Sequence, residues 1–297
     1  MMRSRLLRSV QLCALVLTVL SAALPASARQ LTKLVVFGDS LSDTGAVFAV
    51  TQGAVPPSPP YYAGRFSNGP VWAEYLGAAL DLPVENYAYG GAQTDHGNLF
   101  DGLFGIDFPG LSDEIELYLG QPGRVDRHAI YVVWAGANDF RAALARGETP
   151  DIAGMVSNLL NAIGALYLAG ARYVVVPNLP DLGLTPEGRA SGAGPLVTLL
   201  SETFNTHLEE ALAVHAPQAI RLDVFRLMHK TVDDPSDYGL TNVTAPCLTS
   251  AGVCAAPDEY LFWDHVHPTT HGHAILARKL AKAINQAVVR HHHYHRR

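Results

Sequence analysis

The chain has 297 residues, 48% of them apolar, enough to bury one large core and build one catalytic domain. Its 21 Lys and Arg against 27 Asp and Glu give a formal net charge of −6, with both signs interspersed. That balance excludes the basic stripe a polyanion needs, so no nucleic-acid partner is expected.

Residues 1–28 read as a secretory signal peptide. Arg3, Arg5 and Arg8 form a cationic start, Leu12 to Leu20 an apolar stretch, and Ala26-Ser27-Ala28 a small-residue cleavage site. The apolar run is short for a bilayer span and ends at Pro25. Cys13 falls inside this leader, so cleavage after Ala28 leaves Cys247 and Cys254. Export delivers that pair to an oxidising compartment, where a small disulfide-closed loop is expected; two reduced thiols in a loop are the alternative. Residues 29–290 read as a single domain, and 291–297 as a His-rich, solvated basic tail.

Five apolar runs of strand length follow the leader: Lys33–Gly38, Val84–Tyr89, Ala129–Ala135, Arg172–Pro177 and Ala219–Phe225. They alternate with helical patterns, which predicts a mainly parallel five-stranded sheet covered by helices on both faces. Between the third and fourth runs, Ile152, Met155, Val156, Leu159, Leu160, Ile163, Leu166 and Tyr167 repeat at helical spacing, with Pro150 ahead of them and Gly170 behind. Ile275, Leu276, Leu280, Ala283, Ile284 and Val288 predict a last helix. Val55–Ser67 and Thr231–Pro257 lack a regular pattern and read as surface loops.

Four segments carry residues suited to chemistry. Val35-Val36-Phe37-Gly38-Asp39-Ser40 runs an apolar strand straight into a serine, and ligands of open parallel sheets gather outside the carboxyl ends of strands. Ser and Asp also cap helices, so this string alone is weak evidence. Asn86-Tyr87-Ala88-Tyr89-Gly90-Gly91-Ala92 ends a second strand in glycine and offers a backbone N–H to the same space. Gly136-Ala137-Asn138-Asp139 stands where the third strand runs out: an amide there can donate to an oxyanion, although these residues also form plain turns. In Trp263-Asp264-His265-Val266-His267-Pro268, the Asp three residues before the His can reach back to one ring nitrogen and leave the other free to take a proton. A capping Asp beside a surface His has the same spacing.

A nucleophile, oxyanion donors and an acid–base pair are together what acyl transfer requires. In their order, Val35–Gly45, Asn86–Ala92, Gly136–Asp139 and Asp264–Thr269 resemble the successive blocks of the GDSL (SGNH) hydrolases. Gly64–Trp72 and Gly170–Pro180 are similar to further hallmarks of the branch that holds bacterial phospholipase/lecithinase/haemolysin-type enzymes and plant GDSL lipases. The resemblance implies a flavodoxin-like three-layer α/β/α sandwich, the SGNH hydrolase fold. By motif it implies Ser40 as nucleophile, His267 as its base and Asp264 as the residue orienting that base. The oxyanion donors it implies are the Ser40 N–H, Gly91 and Asn138, with Gly90 still a competitor of Gly91. Asp39 is expected to fix the turn around Ser40.

The expected activity is that of a secreted esterase or lipase working through an acyl-enzyme on a lipid or other small ester, with no cofactor and with transient contact to a membrane or lipid surface. Tyr61, Tyr62, Phe66, Tyr260, Phe262 and Trp263 are expected to shelter the acyl chain. Two rival enzymes are a carbohydrate acetylesterase of the same family and a metal-dependent phosphoesterase built on Asp39, Asn138, His265 and His267.

Overall fold

The run leading to Ser40 is apolar at every position, as a strand covered on both faces must be. In the computed structural model, which describes residues 31–294, this run forms β1 (Leu34–Gly38) and is buried throughout. After it come α1 (Ala46–Val50), α2 (Trp72–Leu80), β2 (Val84–Asn86), α3 (Leu111–Leu119), β3 (Ile130–Trp134), α4 (Ala137–Ala145), α5 (Ile152–Leu168) and β4 (Tyr173–Pro177). The second half adds α6 (Pro186–Ala190), α7 (Gly194–His215), β5 (Ile220–Leu222) and α8 (Val224–Asp233).

All five expected strands form and pair in parallel, in the order β2-β1-β3-β4-β5. Alternate residues point to opposite faces, so Leu34 and Val36 pack with Trp72 and Leu76 of α2, while Val35 and Phe37 pack with Leu111 and Ile115 of α3 and with Leu159 and Ile163 of α5. Phe204, Leu208 and Leu212 of α7 complete the second face. Each such side chain contributes roughly 1.5–3 kcal/mol when withdrawn from water, so both helical layers are held by the same strand residues. The result is the expected three-layer α/β/α sandwich. Its strand order reverses between β1 and β3, which places the crevice for a ligand at the carboxyl ends of those two strands.

Several boundaries differ from the expectation. The fifth strand stops at Leu222 because Asp223 caps α8, its carboxylate accepting from the Arg226 N–H at 2.9 Å. Asp151, next to Pro150, caps α5 through the Gly154 N–H. The segment Thr231–Pro257 is not a bare loop. It begins inside α8 and carries β6 (Asn242–Pro246) and the hairpin of β7 (Leu248–Thr249) with β8 (Gly252–Val253). β6 pairs with β9 (Tyr260–Phe262) just ahead of Asp264. Cys247 and Cys254 are bridged across the hairpin. The Cys247 and Leu248 N–H groups donate to the Phe262 and Trp263 carbonyls, so the closed hairpin braces the strip that leads to Asp264.

The last helix, α9 (Thr270–Tyr294), continues into the segment expected to be a solvated tail. The expected signal peptide, residues 1–28, and residues 295–297 lie outside the described residues. Among the described residues no helix is long and apolar enough to cross a membrane.

Candidate active site

β1 ends in Gly38 because nothing larger fits: a Cβ there would lie 2.1 Å from the Trp134 carbonyl oxygen of β3. The chain then turns sharply. The Ser42 and Asp43 N–H groups both donate to the Asp39 carbonyl, and the Asp39 carboxylate accepts from the Leu41 N–H at 3.0 Å. Asp39 thus closes the turn that carries Ser40, as expected. Burial pushes its carboxyl up to about 6, against the Leu41 N–H and the nearby His267.

Ser40 Oγ lies 2.8 Å from His267 Nε2, and His267 Nδ1 lies 2.7 Å from Asp264 Oδ2. The spacing of Asp264 and His267 does what the sequence implied. The loop bends so that Asp264 Oδ1 also accepts from the Val266 and His267 N–H groups, at 2.8 and 2.7 Å. Burial pushes the Asp264 carboxyl upward, but the His267 ring and these hydrogen bonds outweigh it and hold the group below the usual carboxylate range. An ionised Asp264 keeps the imidazole proton on Nδ1 and leaves Nε2 to accept from the serine hydroxyl. His265 stands apart from this set, its carbonyl accepting from the Glu187 N–H.

On the other side of Ser40, Asn138 occupies the first turn of α4 rather than a free strand-end turn, and it is buried. Its Nδ2 donates to the Ala92 carbonyl at 3.0 Å, which fixes the amide and leaves its second N–H. Of the two glycines, Gly90 has its N–H taken by the Asp43 carboxylate at 2.9 Å. Among the described residues no protein acceptor takes the Gly91 or Ser40 N–H. Gly91 has φ +84°, and a Cβ on it would sit 2.3 Å from the Asn98 side-chain oxygen.

The hydrogen bonds of three further residues of this corner escaped the sequence reading. Tyr61 donates its hydroxyl to Asp264 Oδ2 at 2.7 Å, so the carboxylate accepts four hydrogen bonds. Glu114, on the buried side of α3, accepts from the Gly38 N–H at 2.7 Å and the Tyr89 N–H at 3.0 Å, tying the end of β1 to the chain that brings in Gly91. Burial pushes its carboxyl well above the usual range. A signal for it exists, since Glu114 falls within the buried stripe of Leu111, Ile115 and Tyr118. Asp139 accepts from the Thr94 N–H and hydroxyl, which anchors α4 to the loop after Gly91, and burial lifts its carboxyl to about 6.

A cavity of about 100 Å³ has Ser40, Asn138 and His267 on its wall, with Leu41, Trp134, Leu227, Met228, Phe262 and Ile275 among its apolar lining. Of the six aromatic residues expected to shelter an acyl chain, Phe262 alone lines this cavity. Phe66 packs against the His267 ring, with centroids 5.2 Å apart, and stacks on Phe100. Trp263 is buried against Tyr61, and Tyr62 is exposed. Of the four residues of the metal-site reading, three side chains are engaged otherwise: His267 Nε2 faces Ser40, Asp39 holds its own turn, and Asn138 donates to the Ala92 carbonyl. Among the described residues, one group of three side chains could hold a metal ion, His96, Asp113 and Glu116, and it includes none of those four.

A five-stranded parallel sheet whose order reverses between β1 and β3, covered by helices on both faces, defines a three-layer α/β/α fold with Ser40 at the end of β1. Est24, a carbohydrate acetylesterase from Sinorhizobium meliloti, shares that fold: it aligns with 86% of this chain and 99% of its own at a TM-score of 0.51, with 14% identity. The profile of the GDSL-like lipase/acylhydrolase family matches residues 34–280, and this chain belongs to that family of ester hydrolases. The phosphatidylcholine-sterol acyltransferase of Aeromonas hydrophila is 28% identical over 327 residues, covering 92% of this chain and 96% of that protein. Esterase EstA of Pseudomonas aeruginosa is 30% identical over 334 residues, covering 89% of this chain and 48% of that protein.

Proposed function

We propose that this chain is an exported serine esterase or lipase that cleaves hydrophobic carboxylic esters through an acyl-enzyme on Ser40. The observation that carries this reading is the continuous hydrogen-bonded series Ser40–His267–Asp264 on the wall of an apolar cavity.

Ser40 Oγ attacks the ester carbonyl while its proton passes to His267 Nε2. The oxyanion that forms is met by the Ser40 and Gly91 N–H groups and the Asn138 amide, donors already held in place before the reaction. His267 then gives the proton to the departing alcohol. Water, losing its proton to the same nitrogen, attacks the acyl carbonyl and releases the acid and Ser40. Asp264 stays ionised throughout and stabilises the imidazolium.

The apolar lining favours an acyl chain over a sugar, in line with a relative named for phosphatidylcholine. Export is supported by the N-terminal pattern of residues 1–28, and the Cys247–Cys254 bridge suits an oxidising compartment. A panel of esters of increasing acyl length, with phosphatidylcholine and acetylated xylan included, tests the reading. kcat/KM should rise from acetate to at least butyrate, by up to about fourfold per added CH₂, the rate equivalent of about 0.8 kcal/mol. Ser40→Ala should lower kcat by about 10⁶. A Ser40→Ala protein with more than a few per cent of the activity overturns the mechanism, and a wild type that prefers acetylated xylan overturns the substrate.

A further inference from the structure

The two sides of the nucleophile are held unequally. β3, which leads to Asn138, pairs with β1 over five residues, out to Gly38 and Trp134. β2, which leads to Gly91, is an edge strand of three half-buried residues, and its pairing with β1 stops at Val36 and Asn86, five residues short of Gly91. So short a ladder is a weak hold for an oxyanion donor, because a misplacement of about 1 Å can cost on the order of 10²-fold in rate.

Beyond that ladder the hold comes from Glu114. It is 1% exposed on the buried side of α3, beside Leu111, Ile115 and Tyr118, which pack on the sheet. Carboxyl groups are rarely buried so fully. One of its oxygens accepts from the Gly38 N–H at 2.7 Å, two residues ahead of Ser40, and the other from the Tyr89 N–H at 3.0 Å, two residues ahead of Gly91. Other ties run directly between these two segments. The Tyr89 N–H is shared with the Gly38 carbonyl, Asn86 Nδ2 donates to the Ser42 carbonyl, and Asp43 accepts from the Gly90 N–H. Those ties leave both segments free to shift together. Glu114 belongs to neither segment and fixes both against a helix anchored in the core.

We propose that Glu114 is a positioning residue for the oxyanion hole, setting the spacing of the Ser40 and Gly91 N–H groups by holding the two chains that carry them. The proposal rests on the reading of Ser40 as nucleophile with those groups as oxyanion donors. Glu114 does not line the cavity and acts only through the backbone it holds. Its effect therefore falls on the charge of the tetrahedral intermediate and not on binding of the ester. A neutral amide of the same shape does not replace it, since an amide offers one oxygen to two N–H groups and its nitrogen cannot accept.

The test starts from Glu114→Gln. On a plain p-nitrophenyl ester kcat should fall by about ten- to a hundredfold with KM within about twofold, up to the loss expected when one donor is removed outright. Butylboronic acid, which the Ser40 hydroxyl converts into a tetrahedral anion, should lose affinity by a similar factor, because one of its oxygens takes the place of the oxyanion. Binding of the plain ester to Ser40→Ala protein, measured by calorimetry, should be unchanged when Glu114→Gln is added. Ile115→Val is the control for a loosened α3: it should lower the urea midpoint and leave kcat within about twofold of wild type. Wild-type kcat in the Glu114→Gln protein overturns the proposal, as does a loss carried by KM. So does a fall in kcat without loss of boronic-acid affinity, or one that Ile115→Val reproduces. If Glu114→Gln does not fold, Glu114→Asp, which keeps both oxygens on a shorter side chain, is read against the same outcomes. Failure of the serine reading shows itself differently, as Ser40→Ala protein that still turns over plain esters.

Discussion

His267 and His273 are six residues apart, one in the loop before α9 and one in its first turn, and the fold treats them in opposite ways. His267 is held at both nitrogens, by Asp264 and by Ser40. His273, deeper in the same cavity wall, meets no protein partner at either nitrogen. Residue type and nearness to a motif therefore do not settle what a histidine does. The partners that make His267 a candidate base come from its own loop and from the end of β1, two pieces of chain brought together by the sheet. His273 is buried in α9 without such a partner from the protein.

The largest effect expected from this contrast is on turnover. His267→Ala should lower kcat by about 10⁶, as much as loss of Ser40, because the two act as one unit. His265→Ala, whose structural contact is through its backbone carbonyl, should stay within a few-fold of wild type in steady-state kinetics on a plain ester. A crippled His265→Ala enzyme beside an active His267→Ala enzyme would break the comparison at its root.

The second effect is on stability, and it belongs to His273. Its folded pKa is about 3, below the 6.5 of an ordinary histidine, so the fold holds the neutral ring while the unfolded chain takes up a proton. Above pH 6.5 the residue is neutral in both states and costs nothing by titration. As pH falls from 6.5 towards 3 the native state loses stability, by about 1.4 kcal/mol per unit and hence by about 2 kcal/mol at pH 5. Urea unfolding at pH 8 and pH 5 should show wild type losing about that much more than His273→Phe. Equal losses in the two proteins would mean that the ring is paired or hydrated after all.

The smallest effect sharpens the His267 side. Tyr61→Phe removes one of the four hydrogen bonds that hold Asp264 in place beside His267. kcat should fall by roughly three- to tenfold, the scale of one hydrogen bond to a charged, partly buried group. An unchanged steady-state kcat on a plain ester would reduce Tyr61 to a packing residue.

Much of this molecule is legible in the amino-acid order alone. Continuous apolar runs such as Val35-Val36-Phe37 specify strands buried on both faces, and the run into Gly38-Asp39-Ser40 puts a serine at a strand end, because both patterns are local. The three-residue step from Asp264 to His267 is local too, and the loop realises it. Cys247 and Cys254 pair across the short hairpin that their spacing allows. What only the tertiary structure decided is which donor meets which acceptor across distant segments. Tyr61 reads as an aromatic wall until Asp264 is placed beside its hydroxyl, and the stripe that holds Glu114 says it is buried but not that it meets two strand-end N–H groups. Gly90 and Gly91 are equivalent as letters, and they part company only because Asp43 captures one N–H. The cavity, with His273 on its wall, has no sequence signature at all. It is the space left between helices and strands whose packing depends on every side chain around it, and a linear pattern carries no record of that space.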